Sequence, residues 1–205
     1  MNSFPNQIPV FPLSGVIYFP KTNLPLNIFE QRYLDLVNDV LRKDKLMGMI
    51  QSKRKGDELY KVGCLGKIND FKKSKDGKIL INLTGITRFE LLEEEENSKL
   101  YREFIVDYKK FSLDLNPTLE DINTKSLMTK AESFFKKNGL LLNWQEFEKL
   151  DNTQKINTLA MVAPITNEEK QKLLESVSLK EKVTALENII NFYLHEPNFN
   201  NQTIQ

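Results

Sequence analysis

The stretch that decides the fold is IPVFPLSGVIYFPKTNLPLNIFEQRYLDLV, residues 8–37. It begins with IPVFPL, a short apolar segment whose prolines are typical of an edge or irregular strand. A proline-rich loop is expected over residues 19–26. A helix should follow, because Asn27 and Glu30 have the spacing of a capping box and apolar residues then recur at helical intervals. The residues at those intervals are Phe29, Tyr33, Leu36, Val37, Val40 and Leu41.

The chain after this helix has the pattern of β-strands. Strand-like runs occupy residues 46–51, 60–71, 78–85, 86–93 and 101–111. The segment Lys75-Asp76-Gly77-Lys78 is a hairpin turn signal, and Gly85 indicates a bulge or sharp bend within a long strand. Five or six bent strands with one helix predict a small, partly closed β-barrel.

From residue 118 to about 196 the pattern changes to helices. Four pairs have the three-residue spacing of a helix cap: Thr118 with Asp121, Asn143 with Glu146, Thr166 with Glu169, and Ser178 with Glu181. Strands followed by helices, without alternation, predict an α+β chain. We expect a barrel subdomain over residues 1–115, a helical bundle over residues 116–196 and a polar tail over residues 197–205.

Composition excludes several classes of protein. The chain has 205 residues, of which 40% are hydrophobic, so it can bury a core and is not wholly disordered. The net charge of +1 argues neither for nucleic acid nor for an acidic partner. One cysteine and one histidine exclude a disulfide framework and a thiolate or histidine-rich metal site, so we predict no metal and no cofactor. An export signal and a membrane-spanning run are both missing from the sequence, which predicts a cytoplasmic protein.

The opening stretch resembles the N-terminal, substrate-binding domain of the Lon protease family. The resemblance is carried by Phe11-Pro12-Leu13, Phe19-Pro20, Leu24-Pro25-Leu26 and Ile28-Phe29-Glu30 with Arg32-Tyr33. It continues through VGCLGKI at residues 62–68, Gly85 with Arg88-Phe89, and KQKLLE at residues 170–175, and so covers nearly the whole chain. One departure is Lys21, which stands where the family commonly has glycine.

The resemblance implies both a fold and a role. The implied fold is a PUA-like β-barrel followed by a helical bundle, and the implied role is capture of unfolded or tagged polypeptides. In the full protease this domain precedes an ATPase module and a Ser/Lys peptidase module. The sequence has no G-x-x-x-x-G-K-[ST] motif. We therefore expect a stand-alone Lon-type substrate-binding domain that is not an enzyme and has no catalytic residues.

A cluster of apolar and proline residues in the opening stretch is the candidate peptide-binding surface. A proline-stiffened apolar loop suits capture of a chain, because little further ordering is needed on binding. The alternative is that these side chains plug the end of the barrel as core. The candidate residues are Phe11, Phe19, Pro20, Leu24, Pro25, Leu26, Phe29 and Tyr33.

Three charged residues at motif positions, Glu30, Arg32 and Arg88, are candidates for a structural ion pair. An arginine–carboxylate fork could lock the helix to a barrel strand. Contact with a ligand, or simple exposure, are the alternatives for these residues.

Residues 42–78 are rich in lysine and carry a net charge of +7 from 12 basic and 5 acidic residues. PUA-like barrels elsewhere bind RNA, so an RNA-binding protein that uses these basic hairpins is the alternative function. Lysines that keep hairpin tips and edge strands soluble would give the same pattern.

The favoured function is a non-catalytic protein- or peptide-binding module, with an adaptor role in protein quality control. Its expected partners are polypeptide substrates or a protease or chaperone, and weak self-association is included in the prediction. RNA is the less favoured partner, and no membrane partner is expected. An enzyme with an unrecognised site at the junction of barrel and bundle is the third hypothesis.

Overall fold

The computed structural model describes residues 4–53, 58–115 and 122–195. The chain divides into two compact units, Met1–Pro117 and Thr118–Gln205. The first contains a six-stranded sheet and one α-helix, and the second contains α-helices, so the structure is mixed α and β in the predicted order.

The N-terminal unit is built on one mixed sheet. Its strands are β1 (Gln7–Leu13), β2 (Asn23–Ile28), β3 (Leu46–Gln51), β4 (Val62–Lys73), β5 (Ile79–Glu95) and β6 (Arg102–Asp107). The strand order is β2-β5-β4-β3-β1-β6, and β5 also pairs with β6. Only the β1–β3 pair is parallel among these pairings. Helix α1 (Gln31–Leu41) lies between β2 and β3 in the chain, and a short 3₁₀ helix, Lys109–Asp114, follows β6.

A cluster of buried side chains forms the core of this sheet. Phe89 of β5 is completely buried, and it packs with Ile8, Leu65 and Phe104 from three other strands. Burying a large aromatic or aliphatic side chain contributes about 1.5–3 kcal/mol, so such a cluster is a main source of stability for the unit. Helix α1 adds the buried face that its sequence predicted, consisting of Tyr33, Leu36, Val37 and Val40.

Gly85 allows β5 to be one long strand. A Cβ atom there would lie 2.2 Å from the carbonyl oxygen of Phe19, so only glycine allows the 19–22 segment to approach this closely. The Gly85 N–H donates to the Thr22 carbonyl, and the Lys21 N–H donates to the Gly85 carbonyl, both at 2.9 Å. The strand pairing shifts register beside Gly85, which confirms the predicted bulge.

Two expectations for residues 19–30 are wrong. Residues 23–26 belong to β2 rather than to a loop, because they pair with residues 81–84 of β5. Asn27 does not cap the helix, because it lies within β2, opposite Leu80. The helix begins at Gln31 after an extended Glu30, and Phe29 precedes it.

Two predicted strand boundaries also differ from the structure. The predicted runs 78–85 and 86–93 form one strand, β5, and the strand predicted over 101–111 ends at Asp107.

The C-terminal unit contains helices α2 (Lys125–Lys137), α3 (Trp144–Glu148), α4 (Asn152–Val162), α5 (Asn167–Glu175) and α6 (Leu179–His195). Three predicted caps are confirmed: the side chains of Asn143, Thr166 and Ser178 each accept from the backbone N–H three residues later. A further capping box, of Asp151 with Gln154, starts α4. The predicted cap at Thr118 and Asp121 and the tail at 197–205 lie outside the described residues.

Candidate functional site

An open cavity of about 350 Å³ in the N-terminal unit collects part of the predicted surface. Its walls are residues 11–14 at the end of β1, residues 26–30 at the end of β2 and beyond it, and the first turn of α1. The remaining lining residues are Ser52, Leu59 and Arg102. Four regions that are distant in sequence, around residues 11–14, 26–33, 52 and 59, and 102, therefore contribute to this place.

An aromatic stack lies at the base of the cavity. The rings of Phe11 and Tyr33 stack at a centroid distance of 3.9 Å with 21° between their planes, and both side chains are buried. The Arg32 guanidinium carbon lies 4.5 Å from the Tyr33 ring centroid. The Tyr33 hydroxyl donates to the Pro12 carbonyl at 3.3 Å. An aromatic pair contributes about 0.5–1.5 kcal/mol beyond its buried area, so the stack fixes α1 against β1.

Exposed apolar surface stands at the rim of the cavity. Phe29 is 63% exposed, although phenylalanine is a residue that folding usually buries. Leu26 is half-buried beside it and also lines the cavity. A concave surface with an exposed aromatic side chain can bury apolar groups of another molecule.

The charged groups of the cavity are arranged in ion pairs. Arg32 bonds to Glu30 at 2.8 Å with both side chains about half exposed, and Arg102 bonds to Glu94 through both carboxylate oxygens at 2.6 Å. Burial raises the pKa of Tyr33, while Arg32 and Arg102 oppose that rise and Glu30 adds to it. The hydrogen bond from Arg102 holds the pKa of Glu94 below its ordinary value. The Tyr33 hydroxyl therefore lies in the field of two guanidinium groups.

The predicted peptide-binding residues do not all lie at one place. Phe11, Leu26, Phe29 and Tyr33 line the cavity. Pro25 is exposed on β2 but does not line it, and Phe19, Pro20 and Leu24 are buried elsewhere. The reason for the burial of Phe19 and Pro20 is that their segment packs against Gly85.

The expected ion-pair fork between α1 and a strand is corrected by the structure. Arg32 pairs with Glu30, its neighbour in the chain, in an exposed pair of the kind that contributes about 0–1 kcal/mol. Arg88 instead pairs with Asp114 of the 3₁₀ helix, through Nε at 2.9 Å and Nη2 at 2.7 Å. The geometric reason is that Arg88 projects toward the element that follows β6, where its guanidinium also stacks on Phe111 at 4.3 Å.

Arg102, Leu59 and Ser52 are cavity residues that sequence reasoning missed. They lie on segments that are brought to the site only by the β1–β3 and β1–β6 pairings. None of the three residues occupies a motif position or belongs to a local sequence pattern, so no signal in the sequence pointed to them.

The lysine-rich segment 42–78 is distributed over β3, β4 and the hairpin that joins β4 to β5. Lys53 bonds to Glu58, Lys73 to Asn38 and Lys78 to Asp76. Residues 54–57 of this segment lie outside the described residues.

A second cavity in the N-terminal unit has a volume of about 270 Å³. Its polar groups bind one another: the Tyr101 hydroxyl donates to Asp39 at 2.8 Å, and Lys99 bonds to Glu103 at 2.7 Å. The first bond ties the residue before β6 to α1, and because these groups already bind one another, the first cavity is the better candidate site. Within residues 4–53, 58–115 and 122–195, we find no cluster of His, Cys, Asp or Glu suited to a metal ion. The helices of the same ranges include none with the length and hydrophobicity needed to cross a bilayer.

The fold and the cavity together define a class of protein: a mixed-sheet unit followed by helices, with a cavity of mixed polar and apolar lining between the start and the end of the opening stretch. A family model described as the ATP-dependent protease La (LON) substrate-binding domain matches residues 7–191. The chain belongs to this family, which confirms the resemblance seen in the sequence.

Curated proteins similar to this chain include Lon proteases. The chain is 25% identical over 206 residues to the Lon protease of Syntrophus aciditrophicus and 24% identical over 201 residues to that of Bacillus thuringiensis. Each alignment covers 93% of this chain and 25% of the relative, so the chain spans about a quarter of their length.

Solved structures with the same fold are Lon N-terminal domains. A Lon N-terminal domain protein from Xanthomonas campestris superimposes with a TM-score of 0.66 at 20% identity, covering 91% of this chain and 98% of that one. The N-terminal domain of the Mycobacterium avium complex Lon protease gives a TM-score of 0.65 at 16% identity, with 90% and 98% coverage.

Proposed function

We propose that this chain is a non-catalytic module that binds unfolded polypeptide segments in the cavity beside Phe29. The observation that carries the proposal is the 63% exposure of Phe29 at the rim of a cavity whose base is the Phe11–Tyr33 stack. An aromatic side chain that folding leaves exposed at a cavity is available to bury apolar groups of a bound chain, as the anchor residues of interfaces do. The family description, a substrate-binding domain, supports the same role.

Two finer features belong to this proposal. One is the small PUA-like barrel expected from the sequence, which is supported by the pairing of β6 with both β1 and β5, since it joins the last strand of the order to the second. The module works in the cytoplasm as an adaptor that presents polypeptides to a protease or chaperone of the quality-control system. The buried thiol of Cys64 is compatible with that reducing compartment.

The test is binding of a permanently unfolded protein, reduced and carboxymethylated α-lactalbumin, followed by fluorescence anisotropy at low and high salt. Phe29→Asp should weaken binding roughly tenfold or more, because it places a charge where an apolar anchor is buried. Phe192→Asp is the matched control, since Phe192 is 54% exposed on α6 of the C-terminal unit and is not a lining residue of the cavity.

Three outcomes decide between the hypotheses. Loss of binding in Phe29→Asp alone, persisting at high salt, supports apolar capture at the cavity. Equal loss in both variants, or in neither, contradicts the assignment to this cavity. Retention of RNA by the purified protein, released as salt rises, would favour the basic hairpins at 42–78 instead.

A further inference from the structure

β2 is the edge strand of the sheet. It pairs with β5 alone, whereas each of the other five strands has partners on both of its sides. Among the residues that the structure describes, no strand covers the outer edge of β2. An uncovered edge is a template on which another extended chain can pair.

The hydrogen bonds at Gly85 tell which backbone groups of β2 face outward. The Thr22 carbonyl accepts from the Gly85 N–H, so residue 22 faces β5. Successive residues of a strand alternate between its two edges, so Leu24 and Leu26 also face β5, while Pro25 and Asn27 face outward. The position of Pro25 agrees, because a proline has no N–H to give and is tolerated in a strand where its nitrogen faces away from the ladder. The outer edge thus offers the N–H and C=O of Asn23 and of Asn27 and the C=O of Pro25, and of these residues only Asn27 lines the cavity.

This edge borders the candidate cavity. Residues 26–28 line the cavity, and no residue of β2, Asn23–Ile28, carries a charge. Natural proteins usually protect edge strands with lysine, proline, bulges or a covering element. Pro25 removes one donor from this edge and leaves the pair of groups at Asn27 intact.

The end of β1, which the structure describes in full, is a second strand segment with one unpaired side, but it has no free hydrogen-bonding group to offer a bound chain. β6 pairs with β1 only as far as Val10, so residues 11–13 have β3 on one side only. The Leu13 carbonyl accepts from the Ser52 N–H and faces β3, so Pro12 faces the open side. Pro12 lacks an N–H, and its carbonyl accepts from the Tyr33 hydroxyl. A bound chain therefore finds its hydrogen-bonding groups on β2 and not on β1.

We propose that the cavity binds a polypeptide segment in extended conformation, as an added strand on the outer edge of β2 with one of its residues paired to Asn27. The inference rests on the proposed function and names the form in which the polypeptide binds. The residues that flank the paired one project to the same face as Leu26 and Ile28, and so bring apolar side chains to the cavity. The lining charges are paired, Arg32 with Glu30 and Arg102 with Glu94, so recognition of the bound segment rests on backbone hydrogen bonds and apolar side chains rather than on its charge.

The probe is a fluorescein-labelled peptide, Glu-Ser-Val-Thr-Phe-Thr-Val-Ser-Glu, together with a series in which each central residue in turn is N-methylated. An added strand points alternate N–H groups at β2, so N-methylation should weaken binding about fivefold at every second position and little at the positions between. A peptide held only by its side chains shows no such alternation.

Two substitutions at one position test the protein side. Asn27→Pro removes the outward N–H while keeping the ladder to β5, since position 27 faces away from β5, and it should weaken probe binding about fivefold. Asn27→Ala keeps the N–H and accounts for loss of the side chain, so its binding should fall by less than that of Asn27→Pro. Because the N-methyl series uses the wild-type protein, it tests the proposal even where Asn27→Pro folds poorly.

The outcomes separate this inference from the proposed function. Alternation in the N-methyl series with a selective loss in Asn27→Pro supports strand addition. Binding that Phe29→Asp abolishes but N-methylation leaves unchanged overturns strand addition and preserves the proposed function. No binding of the probe to the wild type, or binding that Phe29→Asp does not weaken, overturns both. A dimer in sedimentation that Asn27→Pro splits without changing peptide binding assigns the edge to a second copy of the chain and overturns the proposal.

Discussion

The buried ion pair between Arg88 and Asp114 gives the sharpest test of how the N-terminal unit is held together. Asp114 accepts three hydrogen bonds from Arg88: from the backbone N–H at 2.9 Å, from Nε at 2.9 Å and from Nη2 at 2.7 Å. The two side chains are only 3% and 8% exposed. The perturbation is Arg88→Met and Asp114→Asn, made singly and together, because asparagine keeps an oxygen for the backbone N–H.

The expected magnitude follows from this burial. Removing one partner of a buried pair leaves the other charge desolvated and costs about 3–5 kcal/mol. The double variant has no charge left to desolvate, so it should cost no more than either single change, which gives a coupling energy of about 3 kcal/mol. The exposed pair of Arg32 with Glu30 is the control, and the cycle of Arg32→Met with Glu30→Gln should give less than about 1 kcal/mol.

Urea unfolding followed by circular dichroism measures the free energy of unfolding of each variant. Hydrogen exchange of the β5 amides reports the N-terminal unit separately from the helices of the C-terminal unit. Single variants that each cost under about 1 kcal/mol, with additive effects in the double variant, would refute the reasoning that this pair is a buried, coupled unit.

Three further predictions use the same unfolding assay. Lys21 has a φ of 60°, so Lys21→Gly should raise the free energy of unfolding by about 0.5–1 kcal/mol, and a loss of stability would contradict the strain argument. The buried Tyr18 hydroxyl has no hydrogen-bond partner among the described residues, so Tyr18→Phe should stabilise the protein by about 1 kcal/mol, and a loss would point to an unseen partner. The hydrogen bond from Lys78, and then that from Ser74, lowers the pKa of Asp76 to about 2. The stability from this carboxylate is therefore present above its ordinary pKa of about 4 and lost as the pH falls through 2. Asp76→Asn should remove that acid dependence of the free energy of unfolding. An NMR titration of the Asp76 carboxyl in the wild type checks the lowered pKa itself.

Local signals in the sequence predicted the elements that local interactions determine. The caps at Asn143, Thr166 and Ser178 use a side chain and a backbone N–H only three residues apart, so spacing was enough to find them. The bulge at Gly85 was visible because a glycine interrupts an otherwise regular strand pattern. The capping box of Asp151 was equally visible in its spacing to Gln154 but was missed.

Pairing between distant segments determined what the sequence did not predict. Asn27 and Glu30 have the spacing of a capping box, but Asn27 and Ile28 are held by pairing with Leu80 and Ile79, and this ladder delays the helix to Gln31. Sheet pairing satisfies several backbone groups at once, whereas a side-chain cap satisfies one or two, so the ladder prevails. Pro25 made the same segment look like a loop, although an outward-facing proline is compatible with an edge strand.

The candidate site divides the opening motif into two parts with different roles. Phe19-Pro20 is buried against Gly85 and serves the fold, so substitutions there should act through stability. Phe11, Leu26, Phe29 and Tyr33 come from three segments and converge on one cavity, which only the pairing of β1 and β2 with the rest of the sheet creates. Of these four, only Phe29 is mostly exposed, so its substitution can separate binding from folding. The opening motif, which the sequence presents as one surface, thus contains one part that packs in the core and another that lines the cavity. Phe29 is the residue whose substitution can change binding without changing folding.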